Sequence, residues 1–159
     1  MQTHTPNSIV IFDIDGTLAN CDHRRHHLEK EPKDWDSFFS ECDKDTPIDQ
    51  VMELARLFFA LKNPVFFTGR SDLHRVQTVA WLSKQTGIAP GVINLRLFMR
   101  VEGDRRPDHE IKSQMLDGIL TEFTPGSIWG VVEDRHSVCQ MWVERGVFVF
   151  DVAQGKGHF

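Results

Sequence analysis

Five short apolar runs alternate with helical patterns along most of the chain, and this alternation restricts the fold more than any other feature. The runs lie at 8–14, 64–67 (PVFF), 95–99 (LRLFM), 127–132 (SIWGVV) and 147–152 (VFVFDV); helical periodicity fills 48–61, 72–86, 110–120 and 137–145. Over 48–61, for example, Val51, Leu54, Ala55 and Phe58 share one face. Strand and helix in alternation predict an α/β fold, with a parallel sheet covered on both faces. Such sheets take their ligands at the carboxyl ends of the strands, near the point where strand order reverses. A length of 159 residues predicts one domain spanning 1–159.

The strand ends carry unusual chemistry. The first run, SIVIFDIDGTL, closes on Asp13 and Asp15, and the fourth leads into VVEDR with Glu133 and Asp134. Two carboxylates at the end of a buried strand repel one another and resist desolvation, so something must offset them. Four of them at one sheet edge call for a divalent cation, and an all-oxygen donor set points to Mg²⁺. One carboxylate is then left to attack a phosphorus atom, while Asp15 is placed to serve as general acid and then general base. The second run ends FFTGR, where Thr68, Gly69 and Arg70 make a phosphate cradle or, on the plainer reading, a turn before a helix cap at Ser71 and Asp72. In GDRRPDHEIK, Pro107 opens a helix that sets Asp108 and Lys112 four residues apart, a spacing that suits a phosphate-neutralising lysine and also an ordinary surface pair.

Residues 19–47 interrupt the alternation. The segment is too long for a simple connection, and Trp35, Phe38 and Phe39 within it predict a small helical flap over the site; a peripheral helix covering a sheet edge is the alternative. Among the aromatic residues, Trp35 is expected to face a ligand, whereas Trp81, Trp129 and Trp142 fall on element patterns and belong to the core.

Composition narrows the partner. With 23 acidic and 18 basic side chains and a net charge of −5, the chain lacks the overall basic character of many nucleic-acid binders. Three dispersed cysteines, Cys21, Cys42 and Cys139, exclude a thiolate zinc site and a disulfide framework, and predict a reducing, cytoplasmic setting. No signal-peptide pattern and no membrane-length apolar run occur, so no membrane partner is expected. No obligate protein partner is evident either.

Taken in order, DIDGT, FFTGR, Lys112 and the ED of VVEDR resemble the four motifs of the haloacid dehalogenase phosphotransferase superfamily. The resemblance implies a Rossmann-like sheet with the first strand central, Asp13 as nucleophile, Asp15 as acid/base, Thr68 and Lys112 as phosphate binders, and Mg²⁺ held by Asp13, Asp15, Glu133 and Asp134. DIDGTLA, GDRRPDHEIK, EDRHSVCQMW and the VAQGKGHF tail are similar, more closely, to the phosphatase domain of phage-type polynucleotide kinase/phosphatase. That likeness adds Arg24, Gly69, Arg70 and Asp108 to the substrate-binding set, with Arg24 on the substrate phosphate. Two departures stand out: Glu133 replaces the aspartate usual in that subgroup, and HRRHHLEKEPKDWDSFF expands the first loop.

No G-x-x-x-x-G-K-[ST] phosphate loop occurs, so a phosphatase without the kinase activity is expected. The predicted function is removal of 3′-phosphate from DNA or RNA ends, with basic residues Arg24, Arg25, Arg96, Arg100, Arg105 and Arg106 lining an entry groove or forming a solvated face. Hydrolysis of free nucleoside monophosphates is the alternative, and a catalytically silent binding module is disfavoured by the intact Asp13 and Asp15. His23, His26 and His27, the first and last four residues apart, are read as flap surface or phosphate contacts rather than as a second metal site.

Overall fold

Ile9, Val10, Ile11 and Phe12 are all buried, which requires packing on both faces of their strand. The structure, a computed structural model, describes residues 8–122 and 126–153, so most of the VAQGKGHF tail lies outside the described residues. Five parallel strands form the sheet: β1 (Ile9–Phe12), β4 (Asn63–Ser71), β5 (Leu97–Arg100), β6 (Ile128–Glu133) and β7 (Val149–Asp151). Their order is β5-β4-β1-β6-β7, with β1 at the centre. The chain builds outward from β1 to one side and then crosses to the other, so the switch in strand order falls beside β1.

Alternate residues of β1 feed two cores. Val10 and Phe12 pack with Val51, Met52 and Ala55 of α2 (Asp49–Leu61), Trp81 and Leu82 of α3 (Arg75–Thr86) and Ile93 of α4 (Pro90–Arg96). Ile9 and Ile11 pack with Leu116 and Ile119 of α5 (Asp108–Glu122) and with Val138, Met141 and Trp142 of α6 (His136–Glu144). Trp81 and Trp142 are buried as expected, while Trp129 is half-buried against Phe58 and Phe150.

Two element assignments need correction. Residues 95–99 were expected to be a strand, but Leu95 and Arg96 end α4 and the strand begins at Leu97; Pro90 at the first turn starts this short helix. The helix expected from residue 72 opens as a 3-10 turn over Asp72–His74 before α3 takes over.

Residues 19–47 begin and end on a two-stranded antiparallel ribbon, β2 (Ala19–Asn20) with β3 (Thr46–Pro47). Between them lie a 3-10 segment, Asp22–Leu28, and a short helix, α1 (Trp35–Ser40), whose Asp34 cap accepts a hydrogen bond from the Ser37 amide at 3.0 Å. Cys21, Leu28 and Phe38, with Phe39 against them, form a separate small core inside this insertion.

Candidate active site

Strand register brings the first acids together. Phe12 stands opposite Val132 in the parallel pair β1–β6, so the next residue on each strand is Asp13 on one and Glu133 on the other. The Asp13 amide continues the ladder to the Val132 carbonyl at 3.0 Å. Beyond Asp13 the chain turns sharply, with the Ile14 carbonyl accepting from the Leu18 and Ala19 amides at 2.9 and 2.8 Å. Gly16 has φ of +87°, and a Cβ there would collide with the Asp134 carboxylate. Glycine is therefore required twice over, for its backbone conformation and for the approach of Asp134. The Thr17 hydroxyl donates to Asp134 at 3.1 Å and fixes it from the other side.

Asp13, Glu133 and Asp134 offer carboxylate oxygens that all lie within 4.8 Å of one another. Lys112, buried and delivered by α5, donates to Asp13 at 2.6 Å and to Glu133 at 2.7 Å. The Asp108–Lys112 spacing therefore belongs to the site and is not a surface pair. One ammonium does not balance three carboxylates. Burial, then the charge of Asp13, pushes Glu133 up to about 7; burial with Asp13 and Glu133 pushes Asp134 up to about 8. Burial alone would lower the Lys112 pKa, but Asp13 and Glu133 reverse that and hold it charged. The residual negative charge and the all-oxygen donor set fit a hard divalent cation.

Asp15 does not join this cluster. It was expected among the metal ligands, but its side chain is turned to two guanidiniums: Arg24 Nη2 at 2.5 Å, Arg70 Nη2 at 2.6 Å and Arg70 Nε at 3.0–3.1 Å. Burial would raise its pKa; Arg70 and Arg24 overturn that and hold it well below the usual carboxylate range. Arg24 and Arg70 were expected to face substrate phosphate, and here both are fully buried behind Asp15. Thr68 is also fully buried, its Oγ1 accepting from the Arg70 amide at 3.2 Å. The second carboxylate that neutralises the arginines is Asp45, which accepts from Arg24 at 2.6–2.7 Å and from Arg70 at 2.8 Å. His23 Nε2 lies 2.9 Å from Asp45, and Trp81 Nε1 donates to its carbonyl at 2.7 Å. Sequence reasoning missed Asp45, because in CDKDTP nothing local separates it from the exposed Asp43.

Gly69 and Asp108 meet at the edge of the site. A Cβ on Gly69 would stand 2.6 Å from Asp108 Oδ1, so only glycine admits this carboxylate. Arg100 pairs with Asp108 and donates to the Gly69 carbonyl at 2.9 Å, and Arg135 reaches Asp108 at 3.0 Å. Burial would raise the Asp108 pKa, but Lys112, Arg135 and Arg100 hold it down. Arg135 was present in VVEDRHS and carried no expectation; it closes the charge balance around Asp108.

A cleft of about 860 Å³ opens over Asp13, Asp15 and Lys112. One stretch of its lining comes from the insertion, including Trp35, Phe38 and Phe39, and another from Arg100 to Asp108. The insertion therefore lies over the strand ends and not along a sheet edge. Arg105 and Arg106 are exposed, and Arg106 pairs with Asp104 at 2.6 Å. His23, His26 and His27 contribute to no metal-ligand cluster found among the described residues. No helix among those residues is long and apolar enough to cross a membrane.

An acid bonded to a buried lysine stands at the switch point of this five-stranded parallel sheet, and the chain falls in the class of haloacid dehalogenase-type phosphatase domains. More narrowly, it belongs to the polynucleotide kinase PNKP phosphatase domain family, whose model matches residues 7–157. A chain in the Pnkp1/Rnl/Hen1 RNA repair complex superposes with a TM-score of 0.69 at 23% identity, over 96% of this chain and 46% of the other. A second structure of a Pnkp1/Rnl/Hen1 complex gives 0.68 at 24% identity, over 96% and 48%. The class C acid phosphatase from Bacillus anthracis with tungstate bound shares the fold at a TM-score of 0.56 and 11% identity, over 92% and 67%. The chain spans about half the length of the repair-complex chains it matches.

Proposed function

We propose that this protein removes the terminal 3′-phosphate from DNA or RNA ends, as a Mg²⁺-dependent phosphatase working through an aspartyl phosphate on Asp13. The observation that carries the reading is the placement of Asp13 under an open cleft, bonded to Lys112 at 2.6 Å, in a chain of the polynucleotide phosphatase family. Asp13, Glu133 and Asp134 would hold the Mg²⁺, which supplies neutralisation of phosphoryl charge when bound. Lys112 donates to Asp13 and offers its ammonium to the incoming phosphoryl oxygens. The Asp13 carboxylate oxygen forms the bond to phosphorus as the bond from phosphorus to the sugar oxygen breaks. Asp15 manages the protons: one goes to the departing sugar oxygen, and one is taken from the water that releases phosphate from Asp13. In the arrangement seen here Asp15 is held as a carboxylate, the state that accepts a proton; donation requires the guanidiniums to loosen.

The insertion serves as an open rim that guides a strand end, and the setting is cytoplasmic, in keeping with three buried, free cysteines. Hydrolysis of free nucleotides is a second reading, favoured by the aromatic stretch of the cleft. A panel of 3′-phosphorylated oligonucleotides, 5′-phosphorylated oligonucleotides and free 3′- and 5′-nucleotides in Mg²⁺ decides between them. The expected result is at least about a tenfold higher kcat/KM for the 3′-phosphorylated strands, with no phosphate released by Asp13→Asn. Faster turnover of free nucleotides would transfer the assignment to the second reading. Arg105→Glu adds a check, since it should weaken strand binding and reduce its salt slope by about one if the exposed arginine meets a phosphodiester.

A further inference from the structure

The insertion exposes a tryptophan held by stacking. Trp35 is 40% exposed in the cleft lining, yet its ring is fixed by Phe39 in a stacked arrangement at 5.8 Å and 25° and by the edge of Phe38 at 5.9 Å and 87°. Phe39 in turn meets the His74 ring at 6.0 Å, so three rings follow one another along the lining. Phe38, buried beneath them, carries the Arg24 guanidinium 4.0 Å above its ring, and Arg24 is bonded to Asp15. The aromatic strip is thus built on the same side chains that fix Asp15. Lys33 stands 5.9 Å from the Trp35 ring and adds a cation at the strip. An exposed aromatic ring with a lysine beside it suits a nucleobase whose backbone is anionic.

We propose that Trp35, backed by Phe39, is a stacking platform for the base of the 3′-terminal nucleotide. This rests on the 3′-phosphatase reading and adds a binding subsite to it. Asp13 and Lys112 receive the phosphate, while the base of the same nucleotide lies against the insertion. A ring already locked by its neighbours loses little conformational freedom on binding, so most of the stacking energy is available to hold the substrate. Stacking does not discriminate among bases, so the platform reads the presence of a base and not its identity.

The test compares two strands that differ at one position: a 3′-phosphorylated oligonucleotide, and the same strand with an abasic 3′-terminal nucleotide. For the wild-type protein in Mg²⁺, kcat/KM for the base-bearing strand should exceed that for the abasic strand by about 5- to 150-fold. Trp35→Ala should bring this ratio close to one, and Trp35→Phe should restore most of it, which also shows that the position tolerates substitution. A wild-type ratio near one, or an undiminished ratio in Trp35→Ala, overturns the platform while leaving the phosphatase reading intact. If neither strand releases phosphate while free nucleotides do, the strand-end reading fails and the platform for a terminal nucleotide falls with it.

Discussion

Replacing Lys112 by methionine tests the electrostatics on which the site depends. The substitution keeps an unbranched side chain, one atom shorter, and removes a buried ammonium bonded to Asp13 at 2.6 Å and Glu133 at 2.7 Å. Breaking a buried ion pair from one side costs about 3–5 kcal/mol, because the partner charge is left uncompensated. Here two partners lose their counter-charge, and Asp134 is already crowded against them. Part of the loss is recovered by proton uptake, since Glu133 is pushed up to about 7 even with the lysine present. The deficit should therefore be larger at alkaline pH. For a domain of this size, 3–5 kcal/mol corresponds to a Tm lower by roughly 6–20 °C. Thermal unfolding followed by circular dichroism, in a chelating buffer at pH 8, measures it. Lys112→Met combined with Glu133→Gln removes one of the stranded charges and should be less destabilised than Lys112→Met alone, a non-additive result expected of groups in one network. A Lys112→Met protein melting within about 2 °C of wild type, or a double variant that melts lower than the single, would refute the charge balance described here.

Two other predictions follow from the acids. On the proposed mechanism Asp15→Asn removes the group that takes a proton from water, so with p-nitrophenyl phosphate, whose leaving group needs little protonation, it should give a burst of about one equivalent of nitrophenol per enzyme and then slow turnover; absence of the burst would take Asp15 out of the hydrolytic step. Without metal, Glu133 and Asp134 hold protons in the folded state that the unfolded chain releases above about pH 4, so stability should fall as pH rises from about 4 to 8. His74, whose pKa burial lowers, acts in the opposite sense near its ordinary value. Comparing Tm of wild type and Asp134→Asn between pH 5.5 and 8.5 therefore isolates the acid, and the wild type should decline more steeply. Added Mg²⁺ should stabilise the wild type more at pH 8.5 than at 5.5, and a Mg²⁺ effect independent of pH would contradict proton competition at these carboxylates.

Much of this site was legible because parallel strands convert sequence position into spatial position. An apolar run followed by acid places that acid at a strand end, and Asp13 with Glu133 needed only the register of β1 and β6 to meet. The spacing of Lys112 from Asp108 suited a surface pair as well, and it was the order of the motifs that singled out the lysine. The direction of a side chain was harder to read. Asp15 was read as a metal ligand, and Arg24 and Arg70 as facing the substrate; Asp45, 21 residues from Arg24 and 25 from Arg70, holds both arginines buried behind Asp15. A long-range charge balance leaves no periodic mark. The strand start at 95–99 misled for a simpler reason, since a short apolar stretch can end a helix as well as open a strand.

The positions of Arg24 and Asp45 also bear on how the insertion can change. They stand near its two ends and bond to each other; Asp45 also accepts from Arg70, and Arg24, like Arg70, donates to Asp15. The Asp22–Leu28 segment and the β2–β3 ribbon thereby close the loop on itself, so the residues from 29 to 44 hang from a sealed junction. Lengthening that outer arc costs only slowly growing loop-closure entropy, and as long as Phe38 is kept, whose carbonyl accepts from Arg24 at 3.1 Å, the Asp15 salt bridges stay where they are. The fold thus separates the acids at the strand ends from an outer arc that can be re-cut. A graft of another relative's arc between Leu28 and Asp45 that keeps Phe38 is the place to look for altered substrate preference.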